Sequence, residues 1–349
     1  MKFTISQLAK VGLLATAAFL YDNFKSLFSI LKAKLELYFR PQLPQSLTDK
    51  FGKWAVITGG SDGIGKGYAK ELARRGINVV IISHMKEELI ATAKEIENLY
   101  GTEAKWIVAD FSKGKEVYQH IKHELRDIPV GILVNNVGCA SYPDELGNRS
   151  EDFLWSIINV NVGAVTVMSR LIIPQMKKHG KGAIVNIASG FELMPTPLMA
   201  VYGATKRYVR SLSLAMEREL SEYNITVQCV TPVLVVTKIV QFSDFLSQSY
   251  FFGTSVEAYT RSLVLTLGKT QETTGYWTHA IIYFIGKLTP EWLRIRIIHA
   301  IARYIKKGYM KNRIEKKSYR QINIQSYSVF FALIIDIQYL YIKRIIKYP

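Results

Sequence analysis

Six short apolar runs, separated by stretches with helical periodicity, occupy residues 54–232, and the first of them ends in the turn Thr58-Gly59-Gly60-Ser61-Asp62-Gly63-Ile64-Gly65. The runs are WAVIT (54–58), NVVIIS (78–83), KWIVAD (105–110), VGILVNN (130–136), GAIVNIAS (182–189) and ITVQCVTP (225–232). Strands that are apolar on both faces must be covered on both faces. The intervening stretches predict helices over 66–75, 87–100, 115–125, 153–178 and 200–223, the fourth as one long helix. Such alternation predicts an α/β fold, a doubly wound parallel sheet flanked by helices. The glycine turn sits between the first strand and the first helix of this pattern. Glycines there let the backbone approach a pyrophosphate, which rests on the helix N-terminus. Gly59, Ser61, Asp62, Gly63, Ile64 and Gly65 are therefore candidate dinucleotide contacts.

The end of the second strand indicates which dinucleotide is bound. A carboxylate about 20 residues past the turn would hold the ribose 2′-hydroxyl of NAD(H). Ser83 and His84 stand there instead. Neither repels a 2′-phosphate, Ser83 can donate to it, and His84 adds charge when protonated. NADP(H) is expected ahead of NAD(H), with Asp110 placed to accept a hydrogen bond from the adenine amino group.

Tyr202 and Lys206 lie four residues apart and share a helix face. A free phenol titrates near 10. A neighbouring ammonium, together with an oxidised nicotinamide, is expected to bring that value down and let Tyr202 exchange protons. Ser189, 13 residues earlier, ends the fifth run at the strand edge where open α/β sheets bind ligands. Its hydroxyl can hydrogen-bond a carbonyl oxygen as charge develops.

TGGSDGIG, NNVG (135–138), Asn161 within INVN, Ser189, YGATK (202–206), and Pro232 with Thr237 resemble the short-chain dehydrogenase/reductase family in order and spacing, over residues 50–265. The resemblance implies a Rossmann-type domain in which Tyr202 is the general acid/base and Lys206 also binds the nicotinamide ribose. It implies that Ser189 positions the carbonyl and that Asn161 holds a water of the proton relay. It further implies that Asn136 and Gly138 lie beside the cofactor with Pro232, that Thr237 approaches the carboxamide, and that the helix over 153–178 offers a homodimer surface. The segments GKWAVITGGSDGIGKGYAKELARRG, DFSKGKEVY, KGAIVNIASG, TTGYWTHAI and PEWL look like the 17β-hydroxysteroid dehydrogenase type 12 and 3-ketoacyl-CoA reductase branch. Within it the likeness is to a hydroxysteroid dehydrogenase-like subgroup whose vertebrate members are held to have lost the tyrosine and activity; Tyr202 is retained here. The implied substrate is a steroid ketone or a long-chain 3-ketoacyl-CoA. By the same resemblance the aromatics Phe242, Phe245, Tyr250, Phe251, Phe252 and Tyr259 form a substrate lid. Three positions depart from the pattern: Val233 follows Pro232 where glycine is usual, His84 replaces an arginine, and Ala188 replaces a serine.

The ends of the chain differ from the middle. Of the net charge of +17, residues 1–40 contribute six Lys/Arg against two acids and residues 287–349 contribute 14 against three, while residues 41–286 hold 25 against 23. Basic residues interleaved with Tyr, Trp and Ile suit an anionic membrane surface. No recognition motif accompanies the charge, so no nucleic acid is expected. The apolar run over 11–21 is shorter than the ~20 residues of a bilayer span. Phe24, Leu27, Ile30, Leu31 and Leu35 then recur at helical spacing. With no acid among the first 21 residues, residues 1–45 are expected to be an amphipathic targeting or anchor segment. The expected site is an intracellular organelle membrane, mitochondrial ahead of endoplasmic reticulum. The catalytic domain is placed at 46–286 and a basic extension at 287–349, with little order expected over 321–349. Two cysteines, Cys139 and Cys229, read as small buried hydrophobes rather than a disulfide. His120 and His123 have no further ligand types clustered with them, so no metal is expected.

Overall fold

The computed structural model describes residues 5–39, 46–140, 142–235 and 254–315. Seven strands form one parallel sheet in the order β3-β2-β1-β4-β5-β6-β7. They are β1 (Trp54–Thr58), β2 (Asn78–Ser83), β3 (Ala104–Val108), β4 (Val130–Asn135), β5 (Gly182–Ile187), β6 (Ile225–Val230) and β7 (Glu272–Thr273). Ile57 of β1 pairs with Ile81 of β2 on one side and Val134 of β4 on the other. The winding therefore reverses at β1, and a crevice opens beyond the carboxyl ends of β1 and β4.

Because strand side chains alternate, each central strand feeds two cores. Ala55, Ile57, Ile81 and Ile132 join Tyr68, Leu72 and Leu263 on one face. Val56, Ile82, Leu133 and Ile184 join Met168 and Ile172 on the other. The helices covering them are α3 (Gly63–Ala73), α4 (Lys86–Tyr100), α5 (Val117–Glu124), α6 (Glu151–Ile158), α7 (Ala164–His179), α8 (Ala200–Leu220) and α9 (Val256–Val264). Ahead of them lie α1 (Ile5–Phe39) and the short α2 (Leu47–Phe51); after β7 come α10 (Trp277–Leu288) and α11 (Glu291–Glu315).

The structure departs from the sequence reading at several places, each with a local cause. The helix expected from 115 starts at Val117, because Gly114 takes a left-handed φ of 74° and breaks the preceding 3-10 turn. The long helix expected over 153–178 is interrupted by a π turn at Asn159–Gly163. β7, two residues long, is too short to show any periodicity. Tyr259 is not in a lid: it is fully buried in α9, and its hydroxyl donates to the Thr274 carbonyl at 3.0 Å. Thr237, the lid aromatics from Phe242 to Phe252, and residues 321–349 lie outside the described residues.

Helix α1 is continuous and has two kinds of surface. Residues 9–22 are exposed on all sides, with Leu13 at 72% and Leu14 at 70%. The following stretch is docked. Ile30 is 1% exposed, the Phe24 ring lies 4.3 Å from that of Phe284 in α10, and the Thr274 amide donates to Ser26 Oγ at 3.0 Å.

Candidate active site

Lys206 is buried in α8, at 5% exposure, and its Nζ donates to the Ile187 carbonyl at the end of β5 (3.0 Å). The same Nζ stands 5.9 Å from the centroid of the half-buried Tyr202 ring, one turn earlier. Ser189 leaves β5 in extended conformation, its Oγ accepts from the Phe191 amide at 3.3 Å, and it stands near enough to the Tyr202 phenol to favour the ionised form. Burial pulls the Lys206 ammonium down to about 8. Burial likewise pushes the Tyr202 phenol above its ordinary value, with the nearby Ser189 hydroxyl acting the other way. Desolvation thus dominates at Tyr202 in the protein alone, while the Lys206 ammonium is engaged by a backbone carbonyl.

Asn161 lies on the π turn and is 2% exposed. Its Oδ1 accepts from the Cys139 amide (2.8 Å), and its Nδ2 donates to the Cys139 carbonyl (3.0 Å) and Thr205 Oγ1 (3.1 Å). Thr205 Oγ1 in turn donates to the Tyr202 carbonyl (2.7 Å). One buried amide therefore ties the segment after β4 to the helix that carries Tyr202 and Lys206. π turns recur at functional sites because the extra residue releases a carbonyl from the helix ladder.

The glycine turn packs as a backbone-only surface. A β-carbon on Gly65 would lie 2.2 Å from the Gly59 carbonyl oxygen and 2.4 Å from Asn136 Nδ2, so α3 starts hard against the turn. Gly59 and Gly63 take left-handed φ values of 66° and 54°. Asn136 Nδ2 donates to the Thr58 and Gly59 carbonyls at 3.0 and 3.1 Å, joining NNVG to the turn. Asp62 stands at the N-cap of α3 and Ile64 packs on the core. Ser61 donates to Ser83 Oγ at 2.9 Å, and both are buried. His84 is exposed. At Asp110 burial is outweighed by hydrogen bonds from Ser112, whose amide donates to Oδ1 at 3.0 Å, and with smaller help from the nearby His84 these hold the carboxyl below its ordinary value. A β-carbon on Gly138 would come within 3.3 Å of Lys206 Nζ and 3.5 Å of Asn161 Oδ1, which places that glycine at the junction of both groups.

The Pro232 carbonyl accepts from the Gly190 amide at 2.8 Å. Val233 does not take a left-handed φ, so the usual glycine is not required by backbone geometry there. Next to Tyr202 is a small cavity of about 40 Å³ lined by Leu146, Arg149, Phe153, Leu198 and Met199 among others. Leu198 has a φ of 67°, a costly conformation for a residue with a side chain, and its carbonyl accepts from the Asp144 amide at 2.8 Å. This rim had no signal in the sequence, because it is made by two loops distant along the chain. Thr205, inside YGATK, could have been found by its spacing from Tyr202.

The chain belongs to the short-chain dehydrogenase family, whose model matches residues 53–244. Among its relatives, the chicken (Gallus gallus) hydroxysteroid dehydrogenase-like protein 1 is 44% identical over 75% of this chain and 79% of its own length. A human protein named inactive hydroxysteroid dehydrogenase-like protein 1 is 42% identical over 78% and 84% of the two chains. The mouse (Mus musculus) very-long-chain 3-oxoacyl-CoA reductase is 35% identical over 76% and 84%. Among solved structures, a short-chain dehydrogenase from Sphingobium yanoikuyae in complex with NADPH superposes with a TM-score of 0.56 at 27% identity, over 78% of this chain and 98% of that one. A 3-ketoacyl-(acyl-carrier-protein) reductase from Brucella melitensis complexed with NADH gives 0.57 at 30%, over 65% and 98%.

Proposed function

We propose that this chain transfers hydride between NADP(H) and the carbonyl or hydroxyl of a lipophilic substrate, a steroid or a long-chain 3-ketoacyl-CoA. The observation that carries the reading is the meeting of Ser189, Tyr202 and a buried Lys206 at the carboxyl edge of the sheet, with Lys206 Nζ held by the Ile187 carbonyl and 5.9 Å from the Tyr202 ring. A dinucleotide fits the cradle: the turn presents backbone where a β-carbon at Gly65 would clash, and Gly138 leaves room beside Lys206. Bound NADPH supplies the hydride. In reduction Tyr202 gives its proton to the carbonyl oxygen, and Ser189 holds that oxygen in place. Lys206, with its ammonium drawn down to about 8, is suited to pass on a proton at neutral pH. Asn161 fixes the spacing between the cofactor side and α8 through Cys139 and Thr205. The hydroxyl pair at Ser61 and Ser83, with Ser83 rather than a carboxylate ending β2, supports NADP(H) over NAD(H).

The apolar sleeve of α1 and the exposed stripe Trp277, Ile281, Ile285 and Leu288 on α10 support association with an organelle membrane surface. Mitochondrion is favoured over endoplasmic reticulum, on the acid-free N-terminus. Exposed Trp155 and Ile158 on α6 and Tyr208 on α8 support a homodimer through these helices.

A second reading, a non-catalytic NADP(H)-binding scaffold, is favoured by the name of the human relative. One experiment separates the two. The purified protein is titrated with NADPH and NADH by fluorescence and assayed on steroid ketones and 3-ketoacyl-CoA esters, beside Tyr202→Phe. We expect tighter binding of NADPH, turnover in the wild type, and loss of turnover by about a thousandfold or more in the variant with affinity unchanged. NADPH binding without Tyr202-dependent turnover would sink the enzyme reading.

A further inference from the structure

Glu192 is the third residue after Ser189, and it is 2% exposed. Its amide donates to the Ser189 carbonyl at 3.0 Å, closing the turn that presents the Ser189 hydroxyl. Its side chain and backbone are held from two helices. The Tyr283 hydroxyl of α10 donates to Glu192 Oε1, Arg207 of α8 donates to the Glu192 carbonyl at 3.1 Å, and Arg210 Nε lies 3.6 Å from Oε1. Arg210 continues the stripe Tyr202, Lys206, Arg210, so the catalytic face of α8 extends one turn further than the YGATK motif.

Arg210 does not serve Glu192 alone. Its guanidinium also grips Glu272 of β7, at 2.6 and 2.8 Å. Glu192 has the charge of Arg207 as well as that of Arg210, but Glu272 shares Arg210 with it in a place largely closed to water, an arrangement that is unfavourable unless a further positive charge arrives on the Glu272 side. That charge comes from the N-terminal helix: Lys25 Nζ lies 2.7 Å from Glu272 Oε2 and 2.9 Å from Asp22 Oδ1, and Asp22 meets Lys287 of α10 at 3.3 Å. Burial raises the Glu192 carboxyl; at Glu272 burial is outweighed by hydrogen bonding from Lys25 and the charge of Arg210, which hold it below its ordinary value.

We propose that Arg210 and Glu192 are positioning residues for Ser189, and that Lys25 completes their charge balance, so that α1 is part of the active-site scaffold. The role rests on the oxidoreductase reading above; the clamp itself does not depend on turnover. In this arrangement the exposed and docked halves of α1 have different work. The docked half settles the turn after β5, and a change in the seating of α1 reaches Ser189 through Glu272, Arg210 and Glu192.

The test uses the full-length protein and the variants Lys25→Met, Lys25→Arg, Arg210→Met and Arg210→Lys. Hydrogen exchange is followed at the amides of residues 190–193, with β1 and β5 amides as controls. We expect Lys25→Met and Arg210→Met to speed exchange in the turn about tenfold, the effect of losing one charge-assisted hydrogen bond. Control amides and NADPH affinity should stay unchanged, and the two conservative variants should keep most of the protection. Where turnover is measured, kcat should fall about tenfold with KM held, because the substrate's binding surface is untouched. Wild-type exchange at 190–193 in a folded Lys25→Met protein overturns the proposal, whatever Arg210→Met does. If the wild type shows no turnover, the oxidoreductase reading fails while the exchange data still decide whether the clamp exists.

Discussion

Lys206 is held as a cation in a place that water does not reach, and the protein carries that cost in its own stability. Its ammonium titrates near 8 in the fold against an ordinary value of 10.5. Between these values the unfolded chain holds the proton and the folded chain has lost it, so the unfolded state binds more protons and stability rises with pH. Below about 8 both states are protonated and the whole cost is present. Lys206→Met removes it, and its advantage over the wild type should shrink by about 1–3 kcal/mol as pH rises from about 7.5 to about 10. Urea unfolding of both proteins across that range measures it; an advantage independent of pH would mean that Lys206 is not desolvated. Gly65 offers a second test on a single atom. Gly65→Ala drives a methyl into the Gly59 carbonyl, which should cost about 1–3 kcal/mol and weaken NADPH binding at least tenfold. Thermal melts with and without NADPH check both parts.

The elements show why some of the site could be read from spacing and some could not. TGGSDGIG and YGATK each lie within one turn or one helix, so sequence distance translates directly into position. The π turn at Asn159–Gly163 does not announce itself, because its residues fit an α-helical pattern equally well and only packing against Cys139 and Thr205 selects the wider turn. The loop after β6 is anchored from a distant element. His279 of α10, fully buried, engages the Leu234 carbonyl through Nε2 at 2.9 Å and the Val233 amide through Nδ1 at 3.5 Å. Those bonds need the neutral ring, with Nε2 donating and Nδ1 accepting. Burial lowers the imidazole to about 4. Between about 4 and 6.5 the unfolded chain is the better proton binder, so this residue makes the fold acid-sensitive in that window. His279→Ala should cost about 2–4 kcal/mol at pH 7.5 and flatten the stability profile between about pH 4 and 6.5. Melting temperatures of wild type and variant over that range provide the check; parallel profiles would exclude the assignment.

Taken as one body, residues 5–306 join an exposed apolar helix half to a dinucleotide-binding sheet through a docked second half. Removing the chain through residue 21 takes away the exposed stretch 9–21, so folding and NADPH affinity should survive while sedimentation with anionic vesicles is lost. Extending the deletion through residue 31 removes Ile30 from its pocket and Lys25 from Glu272, and should destabilise by about 2–4 kcal/mol. Vesicle binding and thermal melts of the two truncated proteins separate these roles. Equal melting temperatures in the two would show that the docked half contributes nothing to the fold.

The amino-acid pattern alone was enough for the alternating strands and helices, the parallel sheet, and the candidate residues Ser189, Tyr202 and Lys206, because each follows from local periodicity or short spacing. It also suggested that the N-terminal segment stood apart from the domain. Burial and long-range partners decided the rest. The pKa directions at Tyr202 and Lys206 depend on how much water the fold excludes, the π turn on what faces it, and the Glu192–Arg210–Glu272–Lys25 chain on four elements meeting from residues 25 to 272. Desolvation and charge pairing are properties of neighbours in space, and no spacing along the chain encodes them.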